Sequence, residues 1–125
     1  MKALDTNVLV RYLVADDPAQ TRQATRIIEE ASNHRQQLFL PMLVLCETVW
    51  VLDRRYGQTR EAIADGLDQL LQTETFLLEQ PDLIRSCVAR YRAGRASLAD
   101  YVIGAVAEDA GCEATVTFDR DLKGC

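Results

Sequence analysis

Gln37-Leu38-Phe39-Leu40-Pro41-Met42-Leu43-Val44-Leu45-Cys46-Glu47-Thr48-Val49-Trp50-Val51-Leu52 is the stretch from which the fold can be read. Gln37–Leu40 reads as a short strand, and Pro41, which has no N–H for a ladder, ends it. The same proline starts a mostly apolar helix that runs to about Tyr56, with Gly57 as its stop. Upstream, residues 2–5 form a first candidate strand, followed by a short helix near Asn7–Val14. Asp17-Pro18 then reads as an N-cap with proline at the first helical position. The helix it opens runs through about Asn33, with Thr25, Ile28 and Ala31 on one face and Arg22, Arg26 and Glu29 more exposed. Downstream, Thr59 can cap a helix lined by Ile63, Leu67, Leu70 and Leu71. Thr75–Leu78 is a third strand. Pro81 opens a helix with Leu83, Ile84, Cys87, Val88 and Tyr91 at helical spacing, ended by Gly94. Ser97 or Leu98 begins another that runs to about Ala110 and stops at Gly111. Ala114–Phe118 is the fourth strand. Short strands separated by longer helices imply crossover connections and a parallel sheet covered on both faces. The predicted class is α/β, a three-layer α/β/α sandwich with a central parallel sheet.

Four acids interrupt apolar runs. Asp5 follows Lys2-Ala3-Leu4 and precedes Val8-Leu9-Val10. Glu47 has Leu43, Val44, Trp50 and Val51 as its helical neighbours. Asp100 is the only charge from Leu98 to Ala107, and Asp119 ends Ala114-Thr115-Val116-Thr117-Phe118. A carboxylate stripped of water without compensation is costly or takes up a proton. Three have a local explanation: an Asx-type turn or helix cap for Asp5, a capping box with Ser97 for Asp100, a turn paired with Arg120 for Asp119; Glu47, among apolar neighbours, is the hardest to explain locally. A shared cation explains all four at once. In parallel sheets, ligands bind beyond the carboxyl ends of the strands. Asp5 and Asp119 fall at such ends, while Glu47 and Asp100 lie on helices that can lean over that rim.

The donor set also restricts the chemistry. The single histidine, His34, lies in a polar loop, so histidine-based zinc sites and Ser-His-Asp catalysis have no support. Carboxylate oxygens suit Mg²⁺ or Mn²⁺, which can activate water for attack on a phosphodiester. The four cysteines, Cys46, Cys87, Cys112 and Cys125, include no C-x-x-C pair and are expected to be reduced. The net charge of −5 argues against a generic nucleic-acid coat. Yet twelve of the fourteen basic residues are arginine, the side chain suited to bidentate phosphate contacts. At 125 residues the chain is read as one domain, 1–125. It has no apolar run of membrane-spanning length, and Asp5 and Arg11 break up any signal-peptide core, so a cytoplasmic protein is expected.

Leu4-Asp5-Thr6-Asn7, Cys46-Glu47 in an apolar helix, Leu98-Ala99-Asp100-Tyr101 opening a helix and Thr117-Phe118-Asp119-Arg120 together resemble a PIN domain. More narrowly, the set is similar to the VapC-type toxins of bacterial toxin–antitoxin operons. The resemblance covers nearly the whole chain in order and spacing. It implies a metal-dependent endoribonuclease acting on RNA, with structured RNA such as tRNA the family's usual direction. By position it implies Asp5 and Asp100 as direct ligands of Mg²⁺ or Mn²⁺ and Asp119 as a further ligand, direct or through water. Glu47 would complete the cluster or orient the attacking water, with Thr6, Asn7 and Thr117 as supporting polar residues. It further implies a homodimer and a small VapB-like antitoxin that inserts into the active-site groove. Family members often continue into a final short strand, giving four to five strands in all. This chain stops at Lys123-Gly124-Cys125, and Asp121 lies close enough to Asp119 to substitute for it.

Arg11, Arg90, Arg92 and Arg95 lie near the acids in sequence and are candidates for contact with RNA phosphates. Arg90 and Arg92 also suit a helix C-terminus electrostatically. Two rival functions fit the same residues. One is a phosphatase or phosphotransferase with Asp5 as nucleophile, disfavoured by Asn7 where a second acid is usual. The other is a non-catalytic PIN-like binding module.

Overall fold

The structure, a computed structural model, describes residues 1–118. Its three strands, β1 (Lys2–Ala3), β2 (Leu38–Leu40) and β3 (Phe76–Leu78), pair in parallel in the order β1-β2-β3. Lys2 sits opposite Leu38, and Leu38 opposite Phe76. The ladder extends one residue beyond β1, where the Leu4 N–H donates to the Phe39 carbonyl at 3.0 Å. Each crossover carries two helices: α1 (Thr6–Val14) and α2 (Pro18–Asn33) between the first two strands, then α3 (Met42–Arg54) and α4 (Arg60–Gln72). After β3 come α5 (Pro81–Ala93) and α6 (Leu98–Asp109). The class is the α/β layering that the alternation of strands and helices predicts.

Local chemistry sets most of these boundaries. Asp5 caps α1 by accepting from the Val8 N–H, and Asp17 caps α2 by accepting from Ala19 and Gln20 with Pro18 at the first position. Thr59 caps α4, and Ser97 forms a reciprocal capping box with Asp100 at the start of α6. Pro41 supplies no side-chain cap to α3; instead the Glu79 carboxylate, just past β3, accepts from the Met42 N–H at 2.9 Å. Gly57 holds φ +59° beyond α3, a left-handed turn that suits glycine.

The buried side chains form one cluster that draws on every strand and helix except β1, with Leu4 standing in for that strand. Leu38, Leu40, Phe76 and Leu78 contribute the buried positions of β2 and β3. Leu9, Leu45, Ile63, Ile84 and Leu98, each at most 1% exposed, pack around them from five helices. On α2 the buried face is Ala24, Ile28 and Ala31, and Thr25 sits half-buried at its margin.

The fourth strand is a correction. Ala114–Phe118 forms no strand, and Val116 and Phe118 are 96% and 99% exposed. The β preference of Val, Thr and Phe reflects packing on a pleated, half-buried surface. Here Val116 and Phe118 face water and the segment joins no ladder, so the described sheet has three strands rather than the predicted four to five. Asp119, Asp121 and any final edge strand lie outside the described residues.

Candidate active site at the carboxyl rim of the sheet

Asp5 directly follows the last ladder residue of β1 and is the N-cap of α1. α1 packs against α3, and the next residue, Thr6, donates its hydroxyl to Glu47 Oε2 on α3 at 3.1 Å. Asp5 and Thr6 at the start of α1 are thereby joined to Glu47 midway along α3. Asp100 is in the first turn of α6, a helix that also packs on α3, and it shares a cleft with α3 residues. Its Oδ2 accepts from the Ser97 N–H at 3.2 Å, while its own N–H donates to Ser97 Oγ at 3.1 Å.

The expectation that these acids have lost their water is not met. Asp5 and Glu47 are exposed and Asp100 is half-buried. The local explanations for Asp5 and Asp100 are both realised as helix caps. Among the described residues, no three His, Cys, Asp or Glu side chains stand close enough together to hold a metal ion. The donor chemistry nonetheless suits a hard cation. In the described hydrogen bonds Asp5 engages only Oδ1, Glu47 only Oε2 and Asp100 only Oδ2, which leaves each an oxygen for a ligand. His34 lies at the opposite rim, just before β2 begins, and takes no part. Burial first, then the charges of Cys87 and Glu47, push the thiol of Cys46, beside Glu47, up to about 11, which disfavours the thiolate.

Asp100 lines a cleft of about 280 Å³ with Trp50, Arg54, Arg95 and Ser97. Of the arginine candidates, Arg95 alone lines it. Arg11 pairs with Asp16 at 2.8 Å, and Arg90 stays exposed on α5. Arg92 is engaged by acids on α4 and does not line the cleft. Its guanidinium bonds Glu61, Asp65 and Asp68 on α4, which raise its pKa (the Asp65 bond most) and clamp α5 to α4. Asn7 faces a separate hollow between α1 and α2, with Arg11 and Gln20. Thr117 is half-buried in the segment after α6.

Arg60 escaped the sequence reading. It is the first residue of α4, where the helix dipole disfavours a cation. Its guanidinium donates to the carbonyls of Tyr91, Arg95 and Ala96 at 2.8, 2.8 and 2.9 Å, and lies 4.2 Å from the centre of the Tyr91 ring. Tyr91 is in the last turn of α5, whose carbonyls lack helical partners. Arg60 therefore caps α5 from another helix and fixes the turn that delivers Ser97 and Asp100. Gly94 completes that turn, because a Cβ there would fall 1.9 Å from the Tyr101 hydroxyl. No local motif signals Arg60, since its partners lie 31 to 36 positions away.

Residues 2–124 match the PIN domain family. A VapC ribonuclease of Aquifex aeolicus (strain VF5) is 29% identical over 123 residues, spanning 98% of this chain and 90% of that protein. The match takes in the three strands, the six helices and all four acids. The chain belongs to the PIN domain family.

Proposed function

We propose that the protein is a metal-dependent endoribonuclease, the toxin of a type II toxin–antitoxin pair. The reading rests on one observation: at the carboxyl end of β1, Asp5 and the Thr6–Glu47 link lie where α1 packs on α3, and Asp100 opens α6, which also packs on α3. The likeness to a VapC ribonuclease supports it. Asp5, Asp100 and Asp119 would hold Mg²⁺ or Mn²⁺. When bound, the ion would acidify a water and offset charge on the phosphate. Glu47, oriented by the Thr6 hydroxyl, accepts the proton of the attacking water. Arg95 and Arg90 attract the RNA backbone, and Thr117 supports the acids. Structured RNA such as tRNA is the proposed substrate. A VapB-like antitoxin in the groove, a homodimer and a cytoplasmic setting complete the proposal. Exposed Leu43, Ile103 and Val106 offer apolar surface for association, and no described helix is long and apolar enough to cross a membrane.

The test is cleavage of a structured RNA by Asp100→Asn. Asparagine keeps the volume and the carbonyl oxygen that accepts from Ser97, so the cap survives while the charge is lost. The expected result is a loss of at least about a hundredfold, within the range for catalytic electrostatic groups, with unchanged thermal stability. Chelator abolishes wild-type cleavage and Mn²⁺ restores it. Full cleavage in chelator, or by Asp100→Asn, refutes the proposal.

A further inference from the structure

We infer that the cleft between α3 and the α5–α6 turn holds one unpaired nucleobase of the strand being cut, stacked on Trp50. This rests on the ribonuclease reading above and narrows its substrate to RNA with an unpaired base beside the scissile phosphate.

Trp50 is 57% exposed, an unusual amount of water-facing surface for the largest aromatic side chain. It lies three residues after Glu47, so the ring and that carboxylate are neighbours on one helical face. Trp50 also lines the cleft that contains Asp100. One aromatic ring thus lies close in the fold to two of the proposed catalytic acids. The cleft, at about 280 Å³, falls just under the ~300 Å³ at which sites for drug-sized ligands begin, a scale that suits a single base.

The surrounding charges favour a nucleotide. Arg54 and Arg95 line the cleft, are exposed, and have no ion-pair partner among the described residues. Both are free to meet phosphates on either side of a seated base. Asp53 and Asp100 share the same lining, so an apolar side chain from a protein partner would desolvate two carboxylates for nothing in return. The other aromatic residue here, Tyr91, is buried and already covered by Arg60. A base therefore stacks on one ring, which tolerates any base but requires an open face. Bases inside a duplex offer no such face, whereas loops and bulges do.

Trp50 is the chain's only tryptophan, so intrinsic fluorescence reports this site alone. Wild-type protein in EDTA is titrated with an RNA hairpin carrying a single-stranded loop and, separately, with a fully paired duplex. The hairpin should quench emission and the duplex should not. In Mn²⁺, Trp50→Ala should raise KM for the hairpin about tenfold or more with kcat within about twofold, and Trp50→Phe should restore most of the loss. No quenching, equal quenching by the duplex, or an unchanged KM in Trp50→Ala overturns the stacking site. So does an emission shift on dilution of the protein alone, which would mean that a second copy covers the ring. If wild-type protein with Mn²⁺ cuts no RNA, the ribonuclease reading itself fails; if it cuts the hairpin while showing any of the overturning results, only the stacking site fails.

Discussion

Replacing Arg60 with alanine should cost stability out of proportion to its half-exposed position at a helix start. Three backbone carbonyls lose their donor, and two of them belong to residues that are almost fully buried, Tyr91 at 4% and Ala96 at 3%. An orphaned buried acceptor costs about 1 kcal/mol at the low end, so these two contribute about 2 kcal/mol. The Arg95 carbonyl belongs to an exposed residue and recovers water, adding little. Loss of the cation–π contact over Tyr91 adds about 0.5–1 kcal/mol. Removing a cation from the positive end of α4 returns about 0.3 kcal/mol. The net expectation is a loss of about 2.5 kcal/mol, read as a lower urea midpoint at unchanged slope. Lysine keeps the charge but cannot span three acceptors, so Arg60→Lys should recover less than half. A loss below about 1 kcal/mol for Arg60→Ala would refute the idea that this residue caps α5 from α4.

Thr48 is fully buried beside Glu47, and its hydroxyl has no hydrogen-bond partner among the described residues. Thr48→Val should therefore raise stability by about 1 kcal/mol, seen as a melting point about 3–5 °C higher; destabilisation would reveal a partner for the hydroxyl. Asp16 accepts from the Tyr56 hydroxyl at 3.0 Å and from Arg11 at 2.8 Å, and these bonds, Tyr56 first, hold its carboxyl below the usual 3.8. Tyr56 is correspondingly raised above 10.0, chiefly by the same bond. A depressed acid gives stability that is complete above its unfolded pKa and lost as pH falls through the folded value. A raised tyrosine gives stability that is complete below its unfolded pKa and lost as pH rises through the folded value. The stability gap between wild type and Tyr56→Phe should thus be flat from about pH 5 to 9 and close at both extremes; urea midpoints across pH would show otherwise if the pairing contributes nothing.

Local signals in the sequence translated well into structure, and relations across the fold did not. Asp17-Pro18, Thr59 and Ser97 mark helix starts because a cap is a contact within three residues. The three short strands were legible because apolar runs between helices must be buried. Ala114–Phe118 has the same composition as a strand, but a strand also needs a ladder partner, which composition does not encode. The acids form a set in the sequence through their order along the chain, and the structure describes three of them. Their solvation was not legible, because Asp5 and Glu47 owe their exposure to the ends and faces of helices, not to flanking apolar residues. Arg92 sits in sequence beside the expected site but in space against Glu61, Asp65 and Asp68, a network that only the packing of α4 on α5 creates. Arg60 is the reverse case, distant in sequence and adjacent in space.

In the proposed mechanism, carboxylates far apart in the chain share one divalent cation. Calorimetric titration of Mn²⁺ into RNA-free protein tests it directly, using wild type and the single variants Asp5→Asn, Glu47→Gln, Asp100→Asn and Asp119→Asn. Saturable binding by the wild type is expected, with at least about tenfold weaker binding in Asp5→Asn and Asp100→Asn, the size expected when one charged ligand is withdrawn. Wild-type affinity in all four variants, or no binding by the wild type, would contradict a shared cation.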